Sequence, residues 1–416
     1  MMPGVGTLGG PLGDERKRVW QRVVLIAAVG GQLFLAGDWY AFAAVVPFVA
    51  KELTLTATEV GLVQGAFAAT YAIGMLIWSP LSRSVAARHL FAIGLLGSGA
   101  AMVLQSAAGS FPVLIGARFL IGFFDAAVWL GTMKLIIMWF APSERGSKMA
   151  LLLAAFSLAI TLDFAVGIPM AQSLGWRYFF ALLAGVTIAV GFGGFALRDN
   201  PEQTGQPALA DGSPRSLGEV FKARYIYISG FAIFGATFAL SATATWAVPG
   251  FIAVQGMPAE NGAPIGMVMG LSQVLALVGG GYLTDRIGER SIMIRIGSFL
   301  CAVAAAAFAL AMSVPGLAMP SLLAVTALGG LSVFSGGAIF SFLAERYPPA
   351  LATESIGYAE VFGILATFAA PAMMGIIIDA TSSFVAAFAA FAIVECLVFL
   401  LLIAMCWKKM PAPPKS

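Results

Sequence analysis

The sequence predicts an all-α membrane protein of twelve transmembrane helices in two six-helix bundles, and three observations predict it. The 416 residues are 60% hydrophobic and only 10% charged, where a soluble chain carries about 25% charged residues. A surface so poor in charge cannot be hydrated, so most of it must meet the lipid bilayer. Twelve apolar runs reach the roughly 20 residues that a spanning helix needs. Of the 23 Lys and Arg, 19 collect on one side of those runs.

The runs fall at about 23–50, 58–80, 88–108, 112–140, 147–172 and 176–197, then at about 225–254, 262–283, 291–313, 318–344, 354–378 and 383–407. Several exceed the minimum length, which allows tilt. Short loops keep basic residues in the cytoplasm. That rule places both termini there, leaves Lys51 and Arg177 outside, and puts Arg118 and Lys134 inside the fourth helix. The resulting plan is a tail at 1–22, a bundle at 23–197, a linker at 198–224, a second bundle at 225–407 and a tail at 408–416. The linker contains Gly212-Ser213-Pro214 and reads as a polar segment along the cytoplasmic surface. The polar opening lacks a signal-peptide pattern, so the first helix is expected to stay as an anchor. The expected location is the cell inner membrane.

An enzyme is the least expected reading, because of what the motifs lack. There is no phosphate-cradling loop and no nucleophile–base pair of recognisable spacing. Cys301, Cys396 and Cys406 stand in apolar runs without metal or redox spacing, and His89 is the only histidine, so no metal or other cofactor is implied. Nothing points to nucleic acid. The chain is read as a monomer whose partners are a small-molecule solute, protons and lipid.

The most specific motif is Gly281-Tyr282-Leu283-Thr284-Asp285-Arg286-Ile287-Gly288-Glu289-Arg290. It resembles the G-x-L-x-D-R-x-G-x-R loop of the major facilitator superfamily and matches every defined position. Glycines allow the tight turn, while the carboxylate can cap a helix N-terminus and the arginines can pair with acids. Gating is accordingly expected of Gly281, Asp285, Arg286, Gly288 and Arg290. The equivalent first-half loop, Ser79 to Arg88, keeps only Leu81 and Arg88 and carries Arg83 at the aspartate position. Helix four ends in Trp139-Phe140-Ala141-Pro142-Ser143-Glu144-Arg145-Gly146 and helix ten in Leu343-Ala344-Glu345-Arg346-Tyr347-Pro348-Pro349, so the halves echo each other. Arg145 joins the gating set. The resemblance implies transport by alternating access.

Five charges lie within first-half helices. Arg118 begins an R-x-x-x-G pattern that resembles helix four of many members, and Asp125 follows two turns later on the same face. An arginine at this depth costs about 2.5–3.5 kcal/mol even on the mild insertion scale, so it is expected to pair with Asp38 or Asp125. Asp38, Asp125 and Asp163 stand near the midplane and are the candidates for proton coupling. Desolvation favours the neutral acid and a nearby cation favours the anion. Asp163 is the preferred carrier, because the only basic residue of its span, Lys148, stands at the start of the span far from it, and Asp163-Phe164 replaces the Gly-Pro of the drug-antiporter signature that precedes Gly175-Trp176-Arg177. The candidate solute contacts are Arg118, Lys134, Trp39, Tyr40, Trp129, Trp246, Gln273 and Glu360. Glu395, deep in helix twelve, reads as snorkelling or structural.

The segment Leu197-Arg198-Asp199-Asn200-Pro201-Glu202-Gln203-Thr204-Gly205 resembles the tail after helix six in the organic-anion branches: the anion:cation symporters and the monocarboxylate and oxalate/formate carriers. Lys134 resembles their helix-four ending. The second-half spans carry Gln273 and Glu360 where oxalate carriers place basic residues. The expected activity is therefore proton-coupled symport of an organic anion such as a monocarboxylate. Two alternatives stand beside it: proton-coupled efflux of a drug-like or organic cation, which suits the acidic midplane, and a non-transporting solute sensor, which suits the degraded first loop.

Overall fold

A computed structural model describes residues 14–82, 84–199, 217–347 and 349–407. Among them twelve helices are long and apolar enough to cross a membrane. The first six are α1 (Asp14–Leu53), α2 (Ala57–Leu81), α3 (Ala87–Ser106), α4 (Phe111–Trp139), α5 (Pro142–Ser173) and α6 (Trp176–Gly194). A short helix, Leu217–Lys222, precedes the second six. These are α7 (Arg224–Gln255), α8 (Gly262–Ile287), α9 (Arg290–Ser313), α10 (Met319–Arg346), α11 (Pro349–Thr381) and α12 (Phe384–Trp407). Helix α10 is broken at its centre, where Leu331–Val333 forms a 3-10 turn. An even number of spans puts both chain ends on one face, called here the terminal face; the other is the far face.

Most ends lie within a few residues of the sequence expectation. Helix α1 begins nine residues earlier than expected, at Asp14. Its added turns are polar but docked. Trp20 stacks on Trp139 with ring centroids 6.3 Å apart, and the Arg198 guanidinium lies 5.2 Å from the Trp20 ring. Gln21 donates to the Trp139 carbonyl at 2.8 Å. The tail expected at 1–22 is thus helical from Asp14, and residues 1–13, the linker core 200–216, Arg83 and the tail 408–416 lie outside the described residues.

The halves meet along two helix pairs, α2 with α11 and α5 with α8. Both contacts are built on glycines four residues apart, the spacing that aligns small residues on one helix face. On α2, a Cβ at Gly61 would collide with the Pro371 carbonyl of α11, and one at Gly65 would come 2.9 Å from the Phe368 ring. On α8, Gly262, Gly266 and Gly270 leave no room for a Cβ beside Ile168, Phe164 and Thr161 of α5. These residues lie in the first half of α2 and α8 and the last half of α5 and α11, so the packing closes the molecule on its far side.

Side chains reinforce that closure. Thr56 and Glu59 form a reciprocal capping box at the start of α2: the Glu59 amide donates to Thr56 Oγ1 at 3.1 Å, and the Thr56 amide donates to Glu59 Oε2 at 2.9 Å. The next two amides cross to the other half. Ala57 N–H donates to Asp379 Oδ1 at 2.9 Å and Thr58 N–H to Oδ2 at 2.7 Å. An anion at a helix N-terminus is stabilised by the unpaired amides there. Gln172 of α5 donates to Glu260 just before α8 at 3.3 Å. Asp379→Ala should loosen the far face several-fold, given that a carboxylate at a helix N-terminus is worth about 0.3–2 kcal/mol. Faster maleimide labelling of a cysteine at Thr58 would register it; unchanged labelling would deny Asp379 a part in closure.

Candidate functional site

The first-half charges gather in one place, but not in the expected pairs. Arg118 is fully buried. Its guanidinium donates to the Asp38 carbonyl at 2.6 Å and the Trp39 carbonyl at 2.9 Å. It also reaches the Val63 carbonyl and Gln64 Oε1, each at 3.4 Å. The Phe42 and Phe67 rings lie 5.7 and 5.1 Å away. Arg118 therefore ties α1, α2 and α4 together through backbone oxygens and an amide, not through the carboxylate of Asp38 or Asp125. A carbonyl already bonded within its helix keeps a second lone pair, which is what the arginine uses. Gln64 completes the knot by donating to the Trp39 carbonyl at 3.1 Å.

Arg118→Ala should thus lower the melting temperature and folding yield sharply, because the oxygens it serves are buried. Adding Asp38→Asn should not restore them. Recovery in the double variant would reinstate a carboxylate pair.

The carboxylates are poorly compensated. Asp38 and Asp125 are fully buried; the Ser98 hydroxyl is within reach of both, but none of their four side-chain oxygens has a hydrogen bond of good geometry. They lie on either side of Ser98 of α3, close enough to feel one another's charge and that of Arg118. Asp163 has one oxygen, Oδ2, in the same condition. It does not point toward the contact between halves. Ser157, Thr161, Phe164 and Ile168 form the face of α5 that meets α8, and Asp163 is on the other side. There it packs over Gly37 of α1 and faces α6.

An aromatic wall stands beside the acids. Trp39 contacts Phe67, Tyr71, Phe156 and Tyr40, with ring centroids 4.5, 5.3, 6.1 and 6.2 Å away. Tyr40 faces Ser241 across the halves. Tyr71 lies within the electrostatic reach of both Asp125 and Glu360, and so connects the first-half acids to the second-half candidate. The candidate solute contacts Trp39 and Tyr40 thus stand next to Asp38 in α1, and Glu360 lies across the halves from Tyr71. Tyr71, Gln64, Phe67, Phe156 and Ser98 were not anticipated.

Other candidates sit elsewhere. The Lys134 ammonium donates to the carbonyls of Ser82 at 2.6 Å and Val85 at 2.8 Å. It holds the loop after α2 by a cation at a helix C-terminus, and its charge is committed there. Trp246 donates to the Pro371 carbonyl at 3.1 Å and so joins α7 to α11. Trp129 is partly buried against the main core. Gln273 is buried with neither amide atom bonded in the protein. Glu395 is fully buried beside Gly235 of α7, which rules out snorkelling.

In the second-half loop, Gly288 ends α8 with φ +73°, a conformation that glycine adopts without strain. Arg290 pairs with Glu345 of α10 at 3.0 Å and donates to the Thr284 carbonyl at 2.7 Å. Gly281 has open space around its Cα and Arg286 is exposed. The side chains of Asp285 and Arg145 lie outside the described residues. Arg177, expected on the opposite face from the termini, is there: it pairs with Glu52 and donates to the Ala108 carbonyl at 2.9 Å.

Twelve membrane helices in two bundles, joined by glycine-lined helix pairs and with buried acids inside the first bundle, have the architecture of a membrane transporter. The family model of the Major Facilitator Superfamily matches residues 28–359, and the chain belongs to that superfamily. Among its relatives, the hexuronate transporter of Bacillus subtilis (strain 168) is 25% identical over 381 residues, covering 86% of this chain and 89% of the relative. The membrane sensor protein UhpC of Escherichia coli (strain K12) is 27% identical over 199 residues, covering 48% of this chain and 45% of UhpC. The fold is similar to that of a bacterial homologue of the human lysosomal transporter Spinster in an inward-facing, occupied conformation. That match has a TM-score of 0.76 and 13% identity, and covers 94% of this chain and 99% of the other.

Proposed function

We propose that the chain is a proton-coupled symporter of a small organic anion of the sugar-acid type in the cell inner membrane, with both termini cytoplasmic. The observation that carries the coupling is the Asp38–Asp125 pair, two buried carboxyls that share one serine hydroxyl, Ser98, beside a guanidinium spent on backbone oxygens and the Gln64 amide. Burying an unpaired carboxylate costs several kcal/mol, and two like charges so near cannot both persist cheaply. A proton relieves both costs. The pair is suited to take up a proton in one conformer and release it in another, and Asp163 is at most a third member of the same charge cluster.

The solute class rests on the hexuronate relative, which spans most of this chain, together with the organic-anion tail after α6. A polyhydroxylated acid needs hydroxyl partners and an apolar ring face. Gln273 and Thr245, buried without side-chain partners, and Ser241, which faces Tyr40, supply the first, and the Trp39–Tyr71 wall the second. The far-face closure fits a conformer open toward the terminal side, and the Asp285 loop is then part of the opposing gate.

Proteoliposomes containing the full chain test the reading with radiolabelled glucuronate under an imposed proton gradient. Accumulation that collapses with an uncoupler is expected. Binding of glucuronate without accumulation or exchange would instead favour a sensor, a reading supported by the half-length similarity to UhpC. Accumulation unaffected by the uncoupler would remove proton coupling.

A further inference from the structure

Asp163 opens onto a feature separate from the Asp38–Asp125 pair. A crevice of about 150 Å³ runs between α1, α5 and α6, lined by Phe34, Asp163, Val166, Phe179, Leu182 and Val186 among others. Its mouth lies on the outer surface of the first bundle, where Leu162, Val166, Leu182 and Val186 are 41–50% exposed. That surface faces bilayer in a chain of this composition. Asp163 at its base is only 5% exposed, and its Oδ2 has no protein partner. Gly37 on the facing helix leaves space beside Oδ1: a Cβ there would stand 3.5 Å from it.

We propose that this crevice binds membrane-dissolved amines that carry a small apolar group, such as an arylalkylamine. The lining admits an apolar group and offers one polar partner, an acid. The charged neighbours of Asp163 are Asp38 from α1 and Arg118 from α4, and the arginine is held by four oxygens. Helix α6 brings no charged side chain beyond Arg177 in its first turn. An organic anion would meet two acids and no free cation.

The volume suits a fragment, being below the roughly 300 Å³ at which pockets for drug-sized ligands begin. The amine enters from lipid as the neutral base. Its nitrogen lone pair takes the carboxyl proton of Asp163, leaving an ammonium–carboxylate pair. No isolated charge crosses the hydrocarbon, and atoms and charge balance.

The test uses the full chain in lipid nanodiscs and three probes of matched size: 2-phenylethylamine, 3-phenylpropionate and 2-phenylethanol. The amine should raise the melting temperature saturably, and the acid and alcohol should not. Asp163→Asn, which cannot surrender a proton to the amine, should weaken the apparent affinity by about tenfold or more, a difference of about 1.4 kcal/mol. Leu182→Trp, which fills the crevice from its mouth, should do the same while leaving Asp163 intact. Undiminished amine stabilisation in Leu182→Trp overturns the proposal, even where Asp163→Asn fails to fold. Equal stabilisation by the alcohol overturns it too, since the acid would then have no part.

Discussion

Gly61→Val is expected to abolish transport while leaving the protein folded and in the membrane. The reason is geometric. A Cβ at Gly61 meets the backbone carbonyl of Pro371, and a Cβ at Gly375 on the facing helix meets the Ala57 carbonyl. Backbone cannot rotate away as a side chain can, so α2 and α11 must separate at the far face. Overpacking costs about 1–3 kcal/mol even where side chains adjust, and here the cost falls only on the conformer with that face closed. A bias of roughly 2.7 kcal/mol shifts a two-state equilibrium about a hundredfold. Two readouts should move together: uptake falls to background, and a cysteine placed at Asn261 becomes labelled by an impermeant maleimide from the far face. Gly193→Ala is the control, because a Cβ there would meet nothing within 4 Å. Normal uptake in Gly61→Val would show that this packing is not part of the transport cycle.

The second large effect concerns the acids. Asp38→Asn with Asp125→Asn should eliminate accumulation against a gradient but preserve exchange of labelled for unlabelled solute. Asn matches the shape of the protonated acid, so the bundle keeps its packing while losing the ability to cycle a proton. Exchange needs no net proton movement and therefore survives. Each single variant tells how the pair divides the role, since interacting carboxyls titrate as a unit. Asp163→Asn is expected to accumulate solute at a reduced rate, because its side chain faces α6 and not the contact between halves. If the double variant accumulates like wild type, the pair is structural and the coupling site lies elsewhere.

How much of this was legible in the sequence depends on the kind of signal. The twelve spans were readable because lipid forces the backbone to bond within each helix, so apolar run length maps directly onto structure. That the acids stand within spans was readable for the same reason. Their direction was not. Asp163 lies only two residues from Thr161, yet the two face opposite sides of α5, and nothing in a near-uniformly apolar helix marks which side meets α8. The partner of Arg118 was misread because carbonyl oxygens belong to every residue and leave no trace in side-chain identity. The glycine spacing at 61 and 65, and at 262, 266 and 270, was present in plain letters but is silent in hydropathy. Asp379, two residues from the end of α11, looks like an ordinary flanking charge until the start of α2 is set against it. The broken centre of α10 had no proline to announce it.

The two loops at the terminal face are held by different chemistry, and the difference makes the halves respond unequally to their surroundings. After α2, the Lys134 ammonium grips two neutral carbonyls, and the ion pair beside it, Arg88 with Asp199, is long at 3.9 Å. After α8, Arg290 grips a carboxylate, Glu345, whose side chain is 44% exposed. Counterions compete for the second far more than for the first, and at 1 M salt the screening length shrinks to about 3 Å. High ionic strength should therefore slacken the second half's loop and spare the first, turning a molecule of two similar lobes into one with a stiff side and a compliant side. A rise in backbone amide exchange confined to the α8–α9 turn would record that lopsided softening.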